Sequence, residues 1–416
     1  MDKTDTKPFT ISKNLVVKAY ELVKANKGGA GVDQQTLEDF DRNLKDNLYK
    51  LWNRLSSGSY FPPAVRAVSI PKKSKGERVL GIPTVSDRIA QMVVKLILEP
   101  KIEPFFHPDS HGYRPTKSAL EAIGKTRQRC WKYDWVLEFD IKGLFDNIDH
   151  TLLMKAVHKH TDSKWCLLYI ERWLKAPLLQ EGALIERRQG TPQGGVISPL
   201  LSNLFLHYTF DLWMQRKYPH LEWCRYADDG LVHCKTEKEA RELLHSLEKR
   251  FKECGLELHP DKTKIVYCKD DRRNQDYDNT KFTFLGYEFR RRKAYNQKQG
   301  KAFLGFTPAI SKEAGQSVRE KIRKLGVRKQ TQWDIKALAT LLNPMLRGWI
   351  GYYGKYNPWD CQRVLRYVDQ AIVIWARKKF KKLRRSKRRA YDFLCKTKME
   401  NPNLFAHWKI YQAKPV

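Results

Sequence analysis

Apolar residues recur at helical spacing between Ile11 and Asn26, at Leu15, Val16, Ala19, Tyr20, Leu22 and Val23. That repeat predicts an amphipathic helix. Further helical patterns fall at Thr36–Leu55, Ser86–Leu98 with Ser86 as N-cap, Thr116–Trp131, and near His150–His160 and Lys164–Lys175. They continue at Ser198–Gln215 and at Thr236–Cys254, where Gly255 is a stop signal. Shorter runs rich in branched and aromatic residues predict strands at Val65–Ile70, Val136–Asp140, Ile185–Arg188 and Phe282–Phe289. Leu256–Cys268 reads as strand, turn, strand. Leu221–Cys234 reads as a hairpin about Ala227-Asp228-Asp229-Gly230, with the glycine supplying positive φ. Beyond residue 300 the pattern turns helical, at Ser311–Leu325, Thr331–Tyr353, Cys361–Arg385 and Arg388–Thr397.

This alternation predicts an α+β fold built on an antiparallel sheet, followed by an α-helical region. The charge run RRRKAYNQKQGK near 290–300 marks the boundary. Charge sharpens that division. Of 79 basic and 46 acidic residues, residues 291–416 hold 31 and 7, a net of +24, and residues 1–290 hold 48 and 39, a net of +9. A surplus so placed, interleaved with Trp333, Trp349, Tyr352, Tyr353, Tyr356 and Trp375, fits a polyanion such as nucleic acid better than a solubilising tail. Arg377–Arg389 carries ten basic residues in thirteen. Eight scattered cysteines form no C-x₂-C pair, which argues against a zinc ribbon or a disulfide framework. No apolar run approaches 18 residues and no signal h-region opens the chain, so a cytoplasmic protein without a membrane partner is expected.

Two carboxylates at a hairpin tip are a costly concentration of like charge. If the strand end at Asp140 lies beside Asp228, the pair offers hard oxygen ligands of the kind Mg²⁺ takes. A pair of such ions drives in-line nucleotidyl transfer. The glycine-rich turn at 27–33 is by itself a weak phosphate signal, and Asp149 is explained as a helix cap.

In order, the chain shows a basic hairpin, FDIKGLFD, GTPQGG, YADD, a Gly-Leu-x-Leu hairpin and FLG. That order resembles reverse transcriptases, and matches most closely the bacterial group II intron-encoded reverse transcriptase/maturase family. NKGGAGVD (26–33) is similar to the family's N-terminal extension. IPKKSKGERVLGIPTVSDRIAQ (70–91), HGYRP (111–115), DIKGLFDNIDH (140–150), GTPQGGVISPLLSNLFL (190–206), RYADD (225–229) and KFTFLGYEF (281–289) resemble successive polymerase blocks. RGWIGYYGKYN (347–357) and NLFAHWK (403–409) resemble the thumb or maturase region.

The resemblance implies a right-hand polymerase. Residues 1–130 would form the N-terminal extension and fingers, 131–290 the palm, and 291–416 the basic thumb/maturase domain. It implies an RNA-directed DNA polymerase that uses two Mg²⁺ ions, with Mn²⁺ as a substitute. Its partners would be dNTPs, a DNA primer or cDNA, and a structured intron RNA bound as splicing cofactor. The alternative is a domesticated relative copying a dedicated non-coding RNA in antiphage defence or repair. Asp140, Asp228 and Asp229 would be the catalytic and metal-binding carboxylates, with a backbone carbonyl at Ile141. Phe145 matches a steric gate against a ribose 2′-OH. Lys72 and Arg78 match triphosphate-holding cations, and Gln193 the loop under the templating pair. Lys262 and Lys264 both sit where a lysine could protonate the pyrophosphate, and the sequence does not choose between them. Arg114, Arg377, Lys378, Lys381, Arg384, Arg385 and Arg388 would bind RNA. The chain ends at Val416 without paired cysteines, so no zinc endonuclease is expected.

Overall fold

A computed structural model of the chain describes residues 7–71, 77–296 and 300–412. The described residues form eleven strands: β1 (Val65–Pro71), β2 (Glu77–Ile82), β3 (Trp135–Asp140), β4 (Leu178–Gln180), β5 (Ala183–Ile185), β6 (Glu222–Tyr226), β7 (Asp229–Cys234), β8 (Lys264–Tyr267), β9 (Lys281–Phe284), β10 (Tyr287–Asn296) and β11 (Lys301–Ile310). They make three sheets, ordered β2-β1-β4-β5, β6-β7-β3-β8 and β11-β10-β9. The described pairings are antiparallel except β1 with β4. The architecture is mixed α+β with a helical C-terminal region. Among the described residues no helix is long and apolar enough to cross a membrane.

The chain divides into two compact units whose sequence ranges interleave. One comprises 1–118, 139–232 and 241–263; the other comprises 119–138, 233–240 and 264–416. The linear cuts near 130 and 290 do not follow this interleaving.

The first unit is organised on the helix Val85–Ile102, whose Val85, Ile89, Ala90, Val93, Val94, Leu98 and Ile102 are buried. Each large aliphatic among them contributes about 1.5–3 kcal/mol by leaving water. The helix starts earlier than the sequence predicts. Thr84, not Ser86, is the N-cap, and its side chain accepts from the Asp87 amide at 3.1 Å. The glycine-rich turn serves the same helix. A Cβ on Gly31 would stand 2.6 Å from Thr84 Cα, and buried Arg88 donates to the carbonyls of Lys27 and Gly29 at 3.2 and 2.8 Å. The turn is a packing feature on these contacts.

Three other predicted elements differ. The strand expected at Ile185–Arg188 is instead the hairpin β4–β5, turned by Glu181 and Gly182 at φ 52° and 84°. Two successive positive φ values are what a two-residue hairpin requires. The helix expected over Ser198–Gln215 is interrupted by a π turn at His207–Asp211. Leu256–Cys268 forms only β8 and an isolated bridge from Leu258 to Ile141.

In the second unit, Phe282–Phe289 is two strands rather than one. Leu285 and Gly286, at φ 51° and 79°, turn β9 into β10. Arg290–Asn296 of the charge run lie on β10, which pairs with β11 along ten residues. The helices Lys312–Lys324, Ile335–Tyr353, Pro358–Lys379 and Lys387–Glu400 follow. They enclose an apolar core that includes Leu338, Leu342, Leu346, Val368, Ile372 and Trp375. The Cys361–Arg385 helix stops at Lys379, and a 3₁₀ turn at Lys381–Leu383 follows. Asp369 is buried there and accepts from His407 Nε2 at 3.0 Å, Trp408 Nε1 at 2.9 Å and Lys398 Nζ at 2.9 Å.

Candidate active site

The end of β3 and the tip of the β6–β7 hairpin both border one cleft in the first unit. It has a volume of about 1150 Å³, and its walls include Arg78, Asp140, Ile141, Phe145, Gln193, Asp228 and Lys262. Asp140 is 8% exposed, and its carbonyl accepts from the His259 amide at 2.8 Å. Chain direction at the hairpin tip is reversed by Ala227, at φ 56°, not by Gly230. Gly230 is needed for a different reason. A Cβ there would lie 2.1 Å from the Phe139 ring, so only glycine lets β7 pass over Phe139 beside the Asp140 end.

Asp228 lines the cleft, and half-buried Asp229 follows it at the start of β7. Burial pushes the Asp228 carboxyl above the ordinary range, and Asp140 adds to it against the opposing pull of Lys262 and Arg78. Burial, then the neighbouring Asp228 and Asp140 carboxylates, push Asp229 up to about 8. Crowded carboxylates with too little positive charge are the hard-oxygen donor set that a divalent cation relieves. Among the described residues no group of three or more His, Cys, Asp or Glu side chains forms a closed ligand set.

The two candidate lysines are placed differently. Lys262 lines the cleft and meets Asp140 Oδ2 at 2.9 Å. Lys264 lies on β8, where it pairs with Glu138 at 3.2 Å. Buried Phe145 presents its ring edgewise to Tyr113, 6.5 Å between centroids. Its carbonyl accepts from Thr191 N at 2.7 Å, which ties this residue to the start of the TPQGG loop. Gly190 has to be glycine at φ 79°, because a Cβ would lie 2.6 Å from the carbonyls of Phe145 and Asp146. Gln193 is half-buried, and its carbonyl accepts from Gly81 N at 2.9 Å. Buried Gln91 fixes the far end of this loop, its Oε1 accepting from Val196 N at 2.7 Å. Arg78 is exposed on the cleft wall, whereas Lys72 lies outside the described residues.

The arginine of HGYRP is put to a different use from the RNA contact expected of it. Arg114 is half-buried, and it donates to Glu103 at 2.9 and 2.7 Å and to the carbonyls of His107 and Ser110, both at 2.7 Å. It braces a loop. The cations of the C-terminal run are solvated: Lys378, Lys381, Arg384, Arg385 and Arg388 are exposed, and half-buried Arg377 donates to the Arg384 carbonyl at 3.2 Å. Asp149 caps its helix, accepting from Leu152 N at 2.7 Å.

Sequence reasoning passed over Tyr113 and Arg187, and it set Asp146 aside as a metal ligand. Asp146 and Arg187 line the cleft, and burial lowers the Arg187 guanidinium. Arg187 had a signal in the paired arginines just before GTPQGG. Tyr113 had none, because a ring next to a hairpin tip is a tertiary fact.

Residues 70–289 match the family model for "Reverse transcriptase (RNA-dependent DNA polymerase)", and residues 315–391 match "Group II intron, maturase-specific domain". The "Group II intron-encoded protein LtrA" of Lactococcus lactis subsp. cremoris is 28% identical, covering 83% of this chain and 69% of LtrA. "Protein YkfC" of Escherichia coli (strain K12) is 32% identical over 68% of this chain and 82% of its own length. An "Uncharacterized 91 kDa protein in cob intron" from Schizosaccharomyces pombe is 24% identical, over 99% of this chain and 60% of that protein. With a polymerase model on more than half of the chain, a maturase model after it and a carboxylate cleft inside the first, the chain belongs to the group II intron reverse transcriptase/maturase family and is a reverse transcriptase.

Proposed function

We propose that the protein extends a DNA primer with dNTPs on an RNA template, using two Mg²⁺ ions for which Mn²⁺ can substitute. It also binds a structured intron RNA as a splicing and mobility cofactor. The observation that carries the chemistry is the placing of Asp140 and Asp228 on one cleft, with Asp229 next to them and its carboxyl raised by both. Asp140 and Asp228 hold the ions with the Ile141 carbonyl, and Asp229 completes the acidic set. When bound, the ions acidify the primer 3′-OH and carry the charge that develops on the pyrophosphate.

The remaining work falls to the chain. The primer 3′-oxygen bonds to the α-phosphorus as the bond to the β-phosphate oxygen breaks. Lys262 Nζ is the better placed lysine to give a proton to the departing pyrophosphate, because it lines the cleft while Lys264 is paired with Glu138. Arg78 holds the triphosphate, and Lys72 is assigned to the same task. Phe145 blocks a ribose 2′-OH, and Gln193 sits under the templating pair. Nearly three-quarters of the net charge (+24 of +33) lies in residues 291–416, and the exposed Lys378, Lys381, Arg384, Arg385 and Arg388, with Arg377, hold RNA phosphates. In this reading residues 1–130 are the N-terminal extension and fingers, 131–290 the palm and 291–416 the thumb. The intron reading is favoured by the printed names of relatives, which place two of the three in introns.

The test is primer extension on an RNA template by D228A/D229A. Synthesis should fall by about a thousand-fold or more, the scale of several kcal/mol of lost charge stabilisation. RNA affinity should stay within about threefold, because none of the proposed RNA contacts is touched. Synthesis near the wild-type rate would remove the carboxylate assignment.

A further inference from the structure

Arg225 stands at the foot of the YADD turn and its side chain is 0% exposed. A buried cation is costly unless each donor is matched. Here Nε and Nη2 donate to the two carboxylate oxygens of Asp211 at 2.8 and 2.7 Å. Nη2 also donates to Ser110 Oγ at 2.8 Å. Nη1 donates to Asn203 Oδ1 and to the Ala227 carbonyl, both at 3.1 Å.

These partners come from three separate stretches. Asp211 ends the π turn that interrupts the Ser198–Lys217 helical run, a local insertion of the kind that concentrates at functional sites. Asn203 Nδ2 donates to the Gly112 carbonyl at 2.6 Å. Gly112 in turn lies against the turn, where a Cβ would be 2.4 Å from Ala227 N. The main chain completes the join: Arg225 N donates to Asp109 O at 3.0 Å, and His111 N to Arg225 O at 2.8 Å. Ala227 has left-handed backbone, which costs a non-glycine residue on the order of 1 kcal/mol, and its carbonyl is the one Arg225 grips.

We propose that Arg225, oriented by Asp211 and Asn203, is the positioning residue of the carboxylate hairpin. By fixing the Ala227 carbonyl and the HGYRP loop behind it, Arg225 sets where Asp228 and Asp229 stand relative to Asp140. It thereby sets the cleft's affinity for a divalent cation. The inference rests on the metal reading above. A lysine cannot replace this arginine, because one ammonium cannot span a carboxylate, an amide oxygen, a hydroxyl and a carbonyl at once. A purely stabilising ion pair would behave differently. Exchange for apolar residues of similar volume typically leaves stability unchanged or raised.

The experiment compares wild type, R225M/D211L, R225K, N203A and D228A as full-length chains. It measures thermal melting, Mn²⁺ binding by electron paramagnetic resonance without nucleic acid, and the kcat and KM for dNTP. In folded R225M/D211L and R225K, Mn²⁺ affinity and kcat should each fall about 10–100-fold, the range for removing a residue that orients metal ligands. KM should stay within about threefold. N203A keeps the ion pair and should show the same pattern at smaller size, which preserves the test should both Arg225 variants fail to fold. Melting shifts with Mn²⁺ affinity and kcat at wild-type values in the folded variants would overturn the proposal. D228A isolates the premise: if it binds Mn²⁺ as tightly as wild type, the metal reading fails, whatever the Arg225 variants do.

Discussion

Two aspartates, one in each unit, meet opposite surroundings. In the cleft, burial and the nearby Asp228 and Asp140 push the Asp229 carboxyl up to about 8. In the helical unit, burial pushes Asp369 upward too, but donors from His407 and Lys398 more than offset it and hold the carboxyl well below the usual range. Asp369 is a completed structural site, with its counter-charge supplied by the chain. In the cleft it is like charges that meet: Asp140 raises the Asp228 carboxyl, and both raise Asp229. The basic run shows the same imbalance with reversed sign: exposed cations at Lys378, Lys381, Arg384, Arg385 and Arg388 in a region of net +24. Where a fold leaves charge unbalanced at a cost, the missing partner is a ligand. On the proposed reading the cleft takes a cation and the helical run a polyanion.

The sharpest way to break this comparison is to balance the cleft. Asp140→Asn removes one negative charge at nearly constant shape. Primer extension should drop about a thousand-fold, since the residue would hold both ions. RNA affinity should hold within about threefold, and loss of RNA binding in parallel would show that the two regions are not functionally separable. Next in size is Phe145→Val, which shortens a cleft wall without changing charge. Discrimination against rNTPs should fall about 10–100-fold, on the scale of 1–3 kcal/mol for a pocket contact. An unchanged dNTP/rNTP ratio would remove the gate. Smaller again is R384A/R385A/R388A. Three lost phosphate contacts should reduce the slope of log affinity against log salt by about two to three units, leaving synthesis on a saturating short template near wild type. An unmoved slope would place the RNA surface elsewhere.

What could be read from sequence follows from which interactions are local. The α+β class, the helical C-terminal region and the order of the blocks were legible, because periodicity and motif order are properties of short windows. The cleft carboxylates were legible as types in order. Their geometry was not. Gly230 looked like a turn glycine, yet its purpose is clearance over Phe139, ninety-one residues earlier, and the turn itself falls to Ala227. The β10–β11 hairpin was hidden because a run such as RRRKAYNQKQGK has neither the alternation nor the apolar content of a typical strand. Arg114 read as an RNA contact, and Arg225 drew no reading beyond its place in RYADD. Only folding shows that their guanidinium groups face inward, on Glu103 and Asp211. Lys262 and Lys264 are two residues apart, and only the tertiary fold separates one on the cleft wall from one paired with Glu138.

The completed site offers the finest test, because its electrostatics can be titrated without touching the chemistry. The Asp369 carboxyl is held below its unfolded value, so its ionised form favours the folded state. Its contribution is therefore fully present above about pH 4, the unfolded carboxyl value, and is lost as pH falls toward the lower folded value. Asp369→Asn strips the charge from three buried or half-buried donors and should cost about 3 kcal/mol near pH 7. Urea unfolding of both full-length chains between pH 7 and pH 2.5 reads the difference directly. The gap between wild type and variant should be constant from pH 7 to about pH 5 and narrow steadily below it. If the gap is the same at pH 3 as at pH 7, the Asp369 cluster is held by packing of Trp408 and its neighbours rather than by charge. Its contrast with the cleft would then be one of shape alone.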